Sequence, residues 1–263
     1  MSHDPYSTYS FLCPKIQFVR SFLRFLLHVN PSYKYVRLRW CPLKTCWNIH
    51  PPLPLTVDYS GEDGITAEGD EGILLALEQR HRIRRLRLYF PIQNLQKLVK
   101  AIDGEFPTLE YLIVDRYPSK DDMALMLPET LQAPHLRHFM QGSFACPIRS
   151  RLYPSAPGLV SLLIITHPSA YFQPNILLQW ISYMPQLESL EVAFSFPVPN
   201  RDVERQLTHT PIMTLPNLHF FGFRGVCAYL EAVVCQITTP HLERLQFDPS
   251  SNSRFPFHIS PSI

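Results

Sequence analysis

Residues 185–192 read PQLESLEV, a proline followed by apolar residues in the order L-x-x-L-x-V. The same phrase recurs, complete or nearly so, along the chain. The other copies are 83–88, which lacks the proline, 107–114, 134–140, 157–164, 216–223 and 240–247. The first apolar residues of successive copies lie between 23 residues (Leu136 to Leu159) and 31 residues (Leu187 to Leu218) apart. A fixed phrase at intervals of roughly 20–30 residues is typical of leucine-rich repeats.

The phrase also predicts how each copy packs. Alternate residues of a strand point to opposite faces, so Leu190 and Val192 should enter the core while Glu191 faces the other side. One repeat cannot bury its apolar face alone and needs neighbours stacked against it. We therefore predict an α/β leucine-rich-repeat solenoid over residues 51–250. Its curved parallel sheet should form the concave side, and helices and loops should form the convex side.

The segments between the phrases show helical periodicity. An atypical first strand is predicted at 53–59, and a helix at 72–80 with Ile73, Leu74 and Leu77 inward. A shorter helical candidate is 200–207, and 122–131 holds at most a turn or two. Three more sets of apolar residues have helical spacing: Ile92, Leu95, Val99 and Ile102; Leu177, Trp180, Ile181 and Met184, with Asn175 as the predicted cap; and Leu230, Val233, Val234 and Ile237.

Composition agrees with a folded domain rich in proline. The 263 residues are 46% hydrophobic and include 26 prolines but only 9 glycines. We expect one proline at the start of each strand, where the missing N–H interrupts no ladder. Residues 1–50 form an N-terminal segment of uncertain structure, and residues 251–263 form a tail. No polar capping unit is visible after Phe247, so the array looks cut short or continued in a partner.

Charge is unevenly distributed although the net value is only +2. Residues 5–57 hold seven Lys or Arg and no acid, whereas residues 58–263 hold 17 basic and 21 acidic residues. A basic arm of this kind can be a targeting segment, and 18–29 (FVRSFLRFLLHV) has the basic, acid-free character of a mitochondrial presequence. Pro14 and the strong apolar character argue against a presequence. The repeats give no reason to expect nucleic acid as a partner.

The six cysteines favour a reducing compartment. They are scattered without a disulfide framework, and no secretory signal precedes them: Cys13, Cys41, Cys46, Cys146, Cys227 and Cys235. No apolar run reaches the roughly 18–20 residues of a membrane span, so no membrane is expected. The predicted location is intracellular, in the cytoplasm or nucleus. Cys227 and Cys235 are too far apart along one helix for a disulfide and are expected to pack in the core.

No catalytic motif or cofactor site can be found. The sequence lacks a phosphate-binding glycine loop, a G-x-S-x-G elbow and an H-E-x-x-H pair. His135 and His138 should point to opposite faces of a strand and so cannot share a metal. Only one cluster has zinc-like spacing: Cys41, Cys46 and His50, with Cys13 and His28 nearby. Because no second pair follows at matching spacing, we expect neither a metal nor a cofactor, and no enzyme.

The chemistry that remains lies on the surface of the repeats. Side chains between the apolar positions should line the concave sheet, where solenoids bind partners. Arg and Tyr, which are frequent interface anchors, are prominent among them. The predicted protein-binding residues are Arg85, Arg87, Tyr89, Tyr111, Ile113, Asp115, Glu191, Phe220, Arg224 and Arg244, with Ser189 and Asp248 beside them. The alternative is a solvated polar face, although the apolar middle (Met140, Leu163 and Ile165) would be costly to expose.

These features resemble the leucine-rich-repeat region of fungal, mushroom-type F-box proteins over residues 55–247. The resemblance rests on LTVDYSG at 55–61, HRIRRLRL at 81–88 and the repeated P-x-L-x-x-L phrase. It implies that the repeats select a protein substrate for a cullin-based ubiquitin ligase, and that an N-terminal F-box docks on the ligase adaptor. Residues 1–50 lack the leucine-proline opening of an F-box, although Trp40 and Trp47 lie where one would end.

Two functions follow as alternatives. The first is a non-enzymatic substrate-recognition subunit of such a ligase, with a protein substrate on the concave face and the adaptor as second partner. The second is a free-standing repeat scaffold without a functional F-box. An enzyme hidden in the N-terminal segment would be a third, but no residue supports it.

Overall fold

The computed structural model describes residues 36–37, 54–60, 67–90, 92–116, 125–142, 144–145, 147–166, 170–194 and 213–249. They form an α/β fold around a nine-stranded sheet in which every pairing is parallel. The strands, in sheet order, are β1 (Val36–Arg37), β2 (Leu55–Ser60), β3 (Ile83–Phe90), β4 (Tyr111–Arg116), β6 (His138–Gly142), β8 (Ser161–Thr166), β9 (Ser189–Phe194), β11 (Phe220–Gly225) and β13 (Arg244–Pro249).

Short strands and helices connect the main strands. Two further parallel pairs join β5 (Leu125–Met126) to β7 (Phe144–Ala145) and β10 (Met213–Thr214) to β12 (Ile237–Thr238). The described helices are α1 (Ala67–Glu78), α2 (Ile92–Ala101), α3 (Leu152–Ser155), α4 (Pro174–Ile181) and α5 (Cys227–Val234), and a 3-10 turn spans Arg80–Arg82. The predicted α/β class with a parallel sheet is confirmed. The solenoid, with its concave and convex sides, stays a prediction.

The sheet grows strand by strand in chain order. Leu190 of β9 has Leu162 on one side and Phe221 on the other as register partners. Side chains at matching positions of adjacent strands therefore form two rows on the same face of the sheet, and both rows point into the core. The first row is Leu86, Leu112, Phe139, Leu162, Leu190 and Phe221, and the second is Leu88, Val114, Gln141, Ile164, Val192 and Phe223; all are at most 3% exposed. The inward direction predicted from the phrase is confirmed for these positions.

The repeated proline serves a turn rather than the strand itself. Leu187 N–H donates to the Met184 carbonyl (3.1 Å), closing a four-residue turn with Pro185 in its second position. Five other repeats close the same turn, at Leu109, Leu136, Leu159, Leu218 and Leu242. The second position of such a turn requires the φ that proline already has. β9 begins four residues later, at Ser189, so the expectation of a proline at each strand start is wrong.

The residue after five of these six leucines links one repeat to the next. The Glu188 carbonyl accepts from two N–H groups of the following repeat, those of His219 (2.9 Å) and Phe220 (3.1 Å). The carbonyls of Glu110, Arg137, Val160 and His219 do the same. The turn and this forked acceptor together fix each new strand against the one before it.

Gln141 fills the position at which the 134–140 phrase loses its third apolar residue. Its side chain is 1% exposed, in the second inward row. The amide nitrogen donates to the Phe144 carbonyl (2.8 Å), and the Tyr153 hydroxyl donates to the amide oxygen (3.4 Å). A buried polar group is tolerated when its hydrogen bonds are made. This repeat therefore keeps the strand without keeping the apolar pattern.

Aromatic rings form a continuous column through one half of the core. Tyr153 stacks on Trp180 with centroids 4.5 Å apart, and Trp180 contacts Phe172 at 4.9 Å. Further ring contacts continue the column through Phe194, Tyr229 and Phe223 to Phe247. Aromatic pairs of this kind add about 0.5–1.5 kcal/mol each to their area burial.

Several details of the helix predictions are wrong. Ile237, predicted on the last helix, lies in β12, after α5 has ended at Val234. Leu74 is 36% exposed and Val234 is 42% exposed, whereas Ala76 of α1 and Tyr229 of α5 are buried. Asn175 lies inside α4, not at its cap; Pro174 occupies the first turn, and Gln173 is the N-cap residue without a side-chain hydrogen bond. Proline is favoured at that site because its fixed φ suits a helix start.

Several predictions lie outside the described residues. They concern the helical candidate 200–207, the presequence-like stretch 18–29, the zinc-like cluster, the missing F-box and the tail 251–263. Within residues 1–50 only β1 is described, and it pairs in parallel with β2, so the sheet includes two residues of that segment. Among the described helices, none has the length and apolar character needed to cross a membrane.

Candidate functional site

The sheet presents one face to the core and another to its surroundings, which we call the open face. Three rows of side chains cross this face. The first row is Thr56, Arg85, Tyr111, His138, Ser161, Ser189, Phe220 and Arg244; the second is Asp58, Arg87, Ile113, Met140, Leu163, Glu191, Gly222 and Gln246; and the third includes Tyr89, Asp115, Gly142, Ile165, Ala193, Arg224 and Asp248. Every predicted binding residue falls in one of these rows.

The predicted patch on β3 and β4 is brought together by the strand register. Arg85 is the register partner of Tyr111, and its guanidinium lies over the Tyr111 ring, 5.0 Å from the centroid. Arg87 is paired in the same way with Ile113, and Tyr89 with Asp115. A guanidinium over an aromatic face is worth about 0.5–1 kcal/mol at exposed sites. The ring and the cation thus form one preorganised surface.

Arg84 lies one position before this patch and takes a different direction. Its guanidinium pairs with the Glu110 carboxylate at 3.3 Å, and both side chains are about two-fifths exposed. Exposed pairs of this kind contribute little to stability. Arg84 therefore pairs with Glu110 and does not add its positive charge to the open face.

His138 extends the patch toward the middle of the sheet, and sequence reasoning missed it. Its ring lies 5.8 Å from the Tyr111 ring, and the residue is partly buried and partly exposed to solvent. Partial burial of the imidazole, followed by the positive charges of Arg137 and Arg85, lowers the pKa of His138 below its ordinary value of 6.5. The signal was present in the sequence, since His138 occupies the same place in its repeat as Tyr111. His135 lies in the preceding turn and not on the strand, which corrects our reason for separating the two histidines.

The middle of the open face is apolar. Met140, Leu163 and Ile165 are half-buried there, and Ala193 continues the row. Ile113 is only 5% exposed, and its register partners on the two neighbouring strands are Arg87 and Met140. Ile113 was predicted as a binding residue, and its burial leaves little of its side chain accessible on the open face. The middle therefore offers aliphatic surface flanked by polar groups.

A second polar group lies on β9, β11 and β13. Arg244 lies over the Phe220 ring with its guanidinium carbon 5.4 Å from the centroid. Arg224 donates through Nε and Nη2 to Asp248 Oδ2, at 2.9 and 2.7 Å, and these side chains are only 15% and 31% exposed. Charge-assisted forks of this geometry are among the stronger hydrogen bonds.

Glu191 lies between the apolar middle and this second group. Its register partners are Leu163 and Gly222, so its carboxylate has aliphatic surface on one side. Burial raises the pKa of Glu191 above its usual value of 4.5, and the charge of Arg244 partly opposes this. A Cβ at position 222 would meet Glu191 Cγ at 3.0 Å, so the glycine leaves space for the Glu191 side chain.

The ten predicted residues therefore form two groups and not one continuous site. Six lie on β3 and β4, and four lie on β9, β11 and β13. From β4 to β9 there are three strand intervals, or about 14 Å at the usual spacing. The apolar middle on β6 and β8 fills the gap between the two groups.

Cys227 and Cys235 are both exposed, so their predicted core packing is wrong. The buried residues of α5 are Tyr229, Ala232 and Val233, whereas Cys227 is the first residue of the helix and Cys235 is its C-cap residue. Among the described residues, no group of three or more His, Cys, Asp or Glu side chains could hold a metal ion.

Comparison with family models, with curated proteins and with solved structures found no match to this chain.

Proposed function

We propose that this chain is a non-enzymatic protein-binding module, and that a protein partner lies across the open face. One observation carries the proposal: a half-buried aliphatic middle lies between two groups that each contain a guanidinium over an aromatic ring. Interfaces combine an apolar centre with Arg and aromatic anchors and a polar rim. The aliphatic middle on β6 and β8 would otherwise be exposed at a cost.

We further propose that the fold is a leucine-rich-repeat solenoid with the open face on its concave side. Three features support this: strands that pair only with their neighbours in the chain, the repeated proline turn, and the forked carbonyl that follows it. In such arrays each unit contacts only the adjacent units. Partners of solenoids bind along several repeats, which suits the width of the two groups and the middle between them.

As the biological role we propose recognition of substrate for a cullin-based ubiquitin ligase, inside the cell. This rests on the resemblance of the repeats to mushroom-type F-box proteins, and the partners would be a protein substrate and the ligase adaptor. The second candidate is a free-standing scaffold, favoured by the absence of an F-box opening in residues 1–50. Copurification of the adaptor and cullin with the tagged full chain separates the two.

The binding proposal is tested by comparing the proteins that copurify with wild-type and variant chains. Leu163→Asp places a charge in the apolar middle, and Arg85→Glu with Arg87→Glu reverses the charge of the first group. Both variants should lose the proteins that the wild type retains. If the partner is acidic, the double reversal should have the larger effect, because it replaces attraction with repulsion.

The matched control reverses two charges away from the open face, at Lys100 on α2 and Arg149 in the turn before α3, both exposed. The Lys100→Glu, Arg149→Glu chain should keep its partners. All variants must first show the wild-type far-UV spectrum and unfolding midpoint. Unchanged partners in both open-face variants would show that the open face is a solvated surface.

A further inference from the structure

Among the described strands β13 is the last in the sheet, and its core-face apolar side chains are exposed. Leu245 is 51% exposed and Phe247 is 37% exposed, whereas Leu190 and Val192, at the same two positions of β9, are at most 1% exposed. Phe247 stacks on Phe223 on one side only and so closes the aromatic column. These two side chains belong to the core face, but no described strand covers them.

On its outer side β13 pairs with no other strand of the described residues. Arg244 N–H donates to the His219 carbonyl (3.0 Å), toward β11. Successive residues of a strand direct their backbone groups to opposite sides, so Leu245 and Phe247 direct theirs to the free edge. The β11–β13 register runs through six residue pairs without a shift. Natural edges are usually protected by bulges, lysines or short length, and β13 has none of these before Pro249.

We propose that β13 is a self-association surface, in which two copies of this chain pair antiparallel about a twofold axis at Gln246. In this register Leu245 faces Phe247 of the second copy, and Phe247 faces its Leu245. Residues whose N–H and C=O both point outward exchange two hydrogen bonds in an antiparallel pair. The two symmetric pairs therefore make four backbone hydrogen bonds and cover the exposed apolar side chains.

The side chains on the other face of β13 match in the same register. Arg244 lies opposite Asp248 of the second copy, and the twofold axis repeats the pair. Both hydrogen bonds from Arg224 end on Asp248 Oδ2, so Asp248 Oδ1 takes no part in them and is left for the guanidinium of the second copy in this proposal. Shifting the axis to Leu245 or Phe247 loses this pairing, because Arg244 would then face Gln246 or Ser250. One register thus satisfies backbone, apolar and charged groups together.

Charge argues for a second copy as the occupant rather than residues 250–263. Residues 250–263 contain Arg254 and no acid, so they offer no carboxylate to Arg244. They also contain Pro256 and Pro261, which cannot donate to a ladder. The other edge of the sheet, β1, has two residues and is too short to template a partner.

The dimer should be weak, because a single strand pair lies at the small end of interface sizes. We expect a dissociation constant on the order of 10 µM, which sedimentation equilibrium from about 1 to about 300 µM brackets. The full wild-type chain should change from the monomer mass to twice that mass across this range. In the dimer, hydrogen exchange at the Leu245 and Phe247 amides should slow.

The charge match gives a test of the register. Arg244→Asp and Asp248→Arg each replace two attractive pairs with two like-charge pairs, which should weaken self-association about tenfold. An equimolar mixture of the two variants restores opposite charges at both positions, so a mixed dimer should form. Leu245→Lys, which places a charge at the edge, is a second variant that should abolish the dimer without touching the Arg224 pair. Arg85→Asp, on the open face away from β13, should leave it intact.

The proposal is overturned if the full chain stays monomeric throughout, or if the dimer persists in both charge variants. It is also overturned if a chain ending at Ser250 dimerises while the full chain does not, since residues 251–263 would then be the occupant. Each variant is compared only after its unfolding midpoint matches that of the wild type.

Discussion

At the scale of single residues, two polar side chains show how the environment sets the role of a residue. Gln141 is buried in a row of aliphatic side chains and survives there through its bonds to Phe144 and Tyr153. His138 is only three residues earlier but faces the other side, where two arginines act on its ring. Because successive side chains of a strand point to opposite faces, Gln141 and His138 lie on opposite sides of the sheet.

Replacing Gln141 with leucine should destabilise the protein although it restores the repeat phrase. The substitution leaves the buried Phe144 carbonyl without its donor, which costs about 1–3 kcal/mol. Denaturant unfolding measures the change. Gln179→Ala, on the exposed side of α4, should change the free energy of unfolding by less than about 0.5 kcal/mol. A leucine at 141 that stabilises the fold would contradict the assigned hydrogen bonds.

The pKa of His138 should lie below 6.5 and rise when Arg85 is replaced by glutamine. Arg85 is one of the charges that disfavour the imidazolium, after burial and Arg137. The sign for stability follows, because a histidine with a lowered folded-state pKa makes the fold less stable as pH falls through 6.5 toward that pKa. An NMR titration of the His138 ring follows both proteins, and an unchanged pKa in Arg85→Gln would place Arg85 away from the ring.

At the scale of the element, the unit of this fold is a proline turn followed by a strand. The turn orients the leucine into the core, the forked carbonyl aligns the next repeat, and the strand alternates between core and open face. The proline phrase predicted the strands and their inward residues because alternation is local. It did not predict the turn, since a proline four residues before a strand and one at its start share the same sequence signal.

The exposed prolines of these turns should stabilise by restricting the unfolded chain. Pro185→Ala is expected to cost roughly 0.4–1 kcal/mol, because alanine can adopt the same φ but loses more entropy on folding. Gln186→Ala, in the next position of the same turn, is the control and should have little effect. A comparable loss for both would show that contacts, and not φ, stabilise the turn.

Neighbouring residues of β9 should differ sharply in their contribution to stability. Leu190 is fully buried, so Leu190→Ala should cost about 2–5 kcal/mol through lost burial and a cavity. Glu191→Ala should cost under about 0.5 kcal/mol, since partial burial already disfavours its carboxylate. Equal losses in a denaturant titration would contradict the assignment of the two faces.

At the scale of the whole molecule, the parallel sheet could be predicted from the sequence, but the division of the open face into two polar groups could not. The repeated phrase identifies each strand and its inward residues. The strands then lie in the sheet in the order in which they occur in the chain. The division into two groups depends on β6 and β8, whose outward residues include His138, Met140 and Leu163. These residues separate the two polar groups because the strand register places them between Tyr111 and Ser189. Leu74 and Val234 were wrongly placed inward because each lies next to another apolar residue, Ile73 and Val233, which is the buried one.

Opening of the sheet should begin at the β13 side. At concentrations too low for self-association, amides of β13 should exchange several-fold faster than those of β8 and β9, because β13 has one neighbouring strand and an exposed core face. Hydrogen exchange followed by mass spectrometry measures this order. Uniform exchange across all strands would indicate a single cooperative unit.

The forked carbonyls have a consequence for how such a chain can grow. Each joins residues a single repeat apart, as Glu110 and Arg137 are, so no strand pairing requires a longer loop to close. The entropy of closing a loop depends on its own length and not on the length of the chain. Duplicating or deleting one repeat therefore leaves the remaining closures unchanged while widening or narrowing the sheet by about 4.8 Å. The width of the open face can therefore change during evolution in steps of one strand.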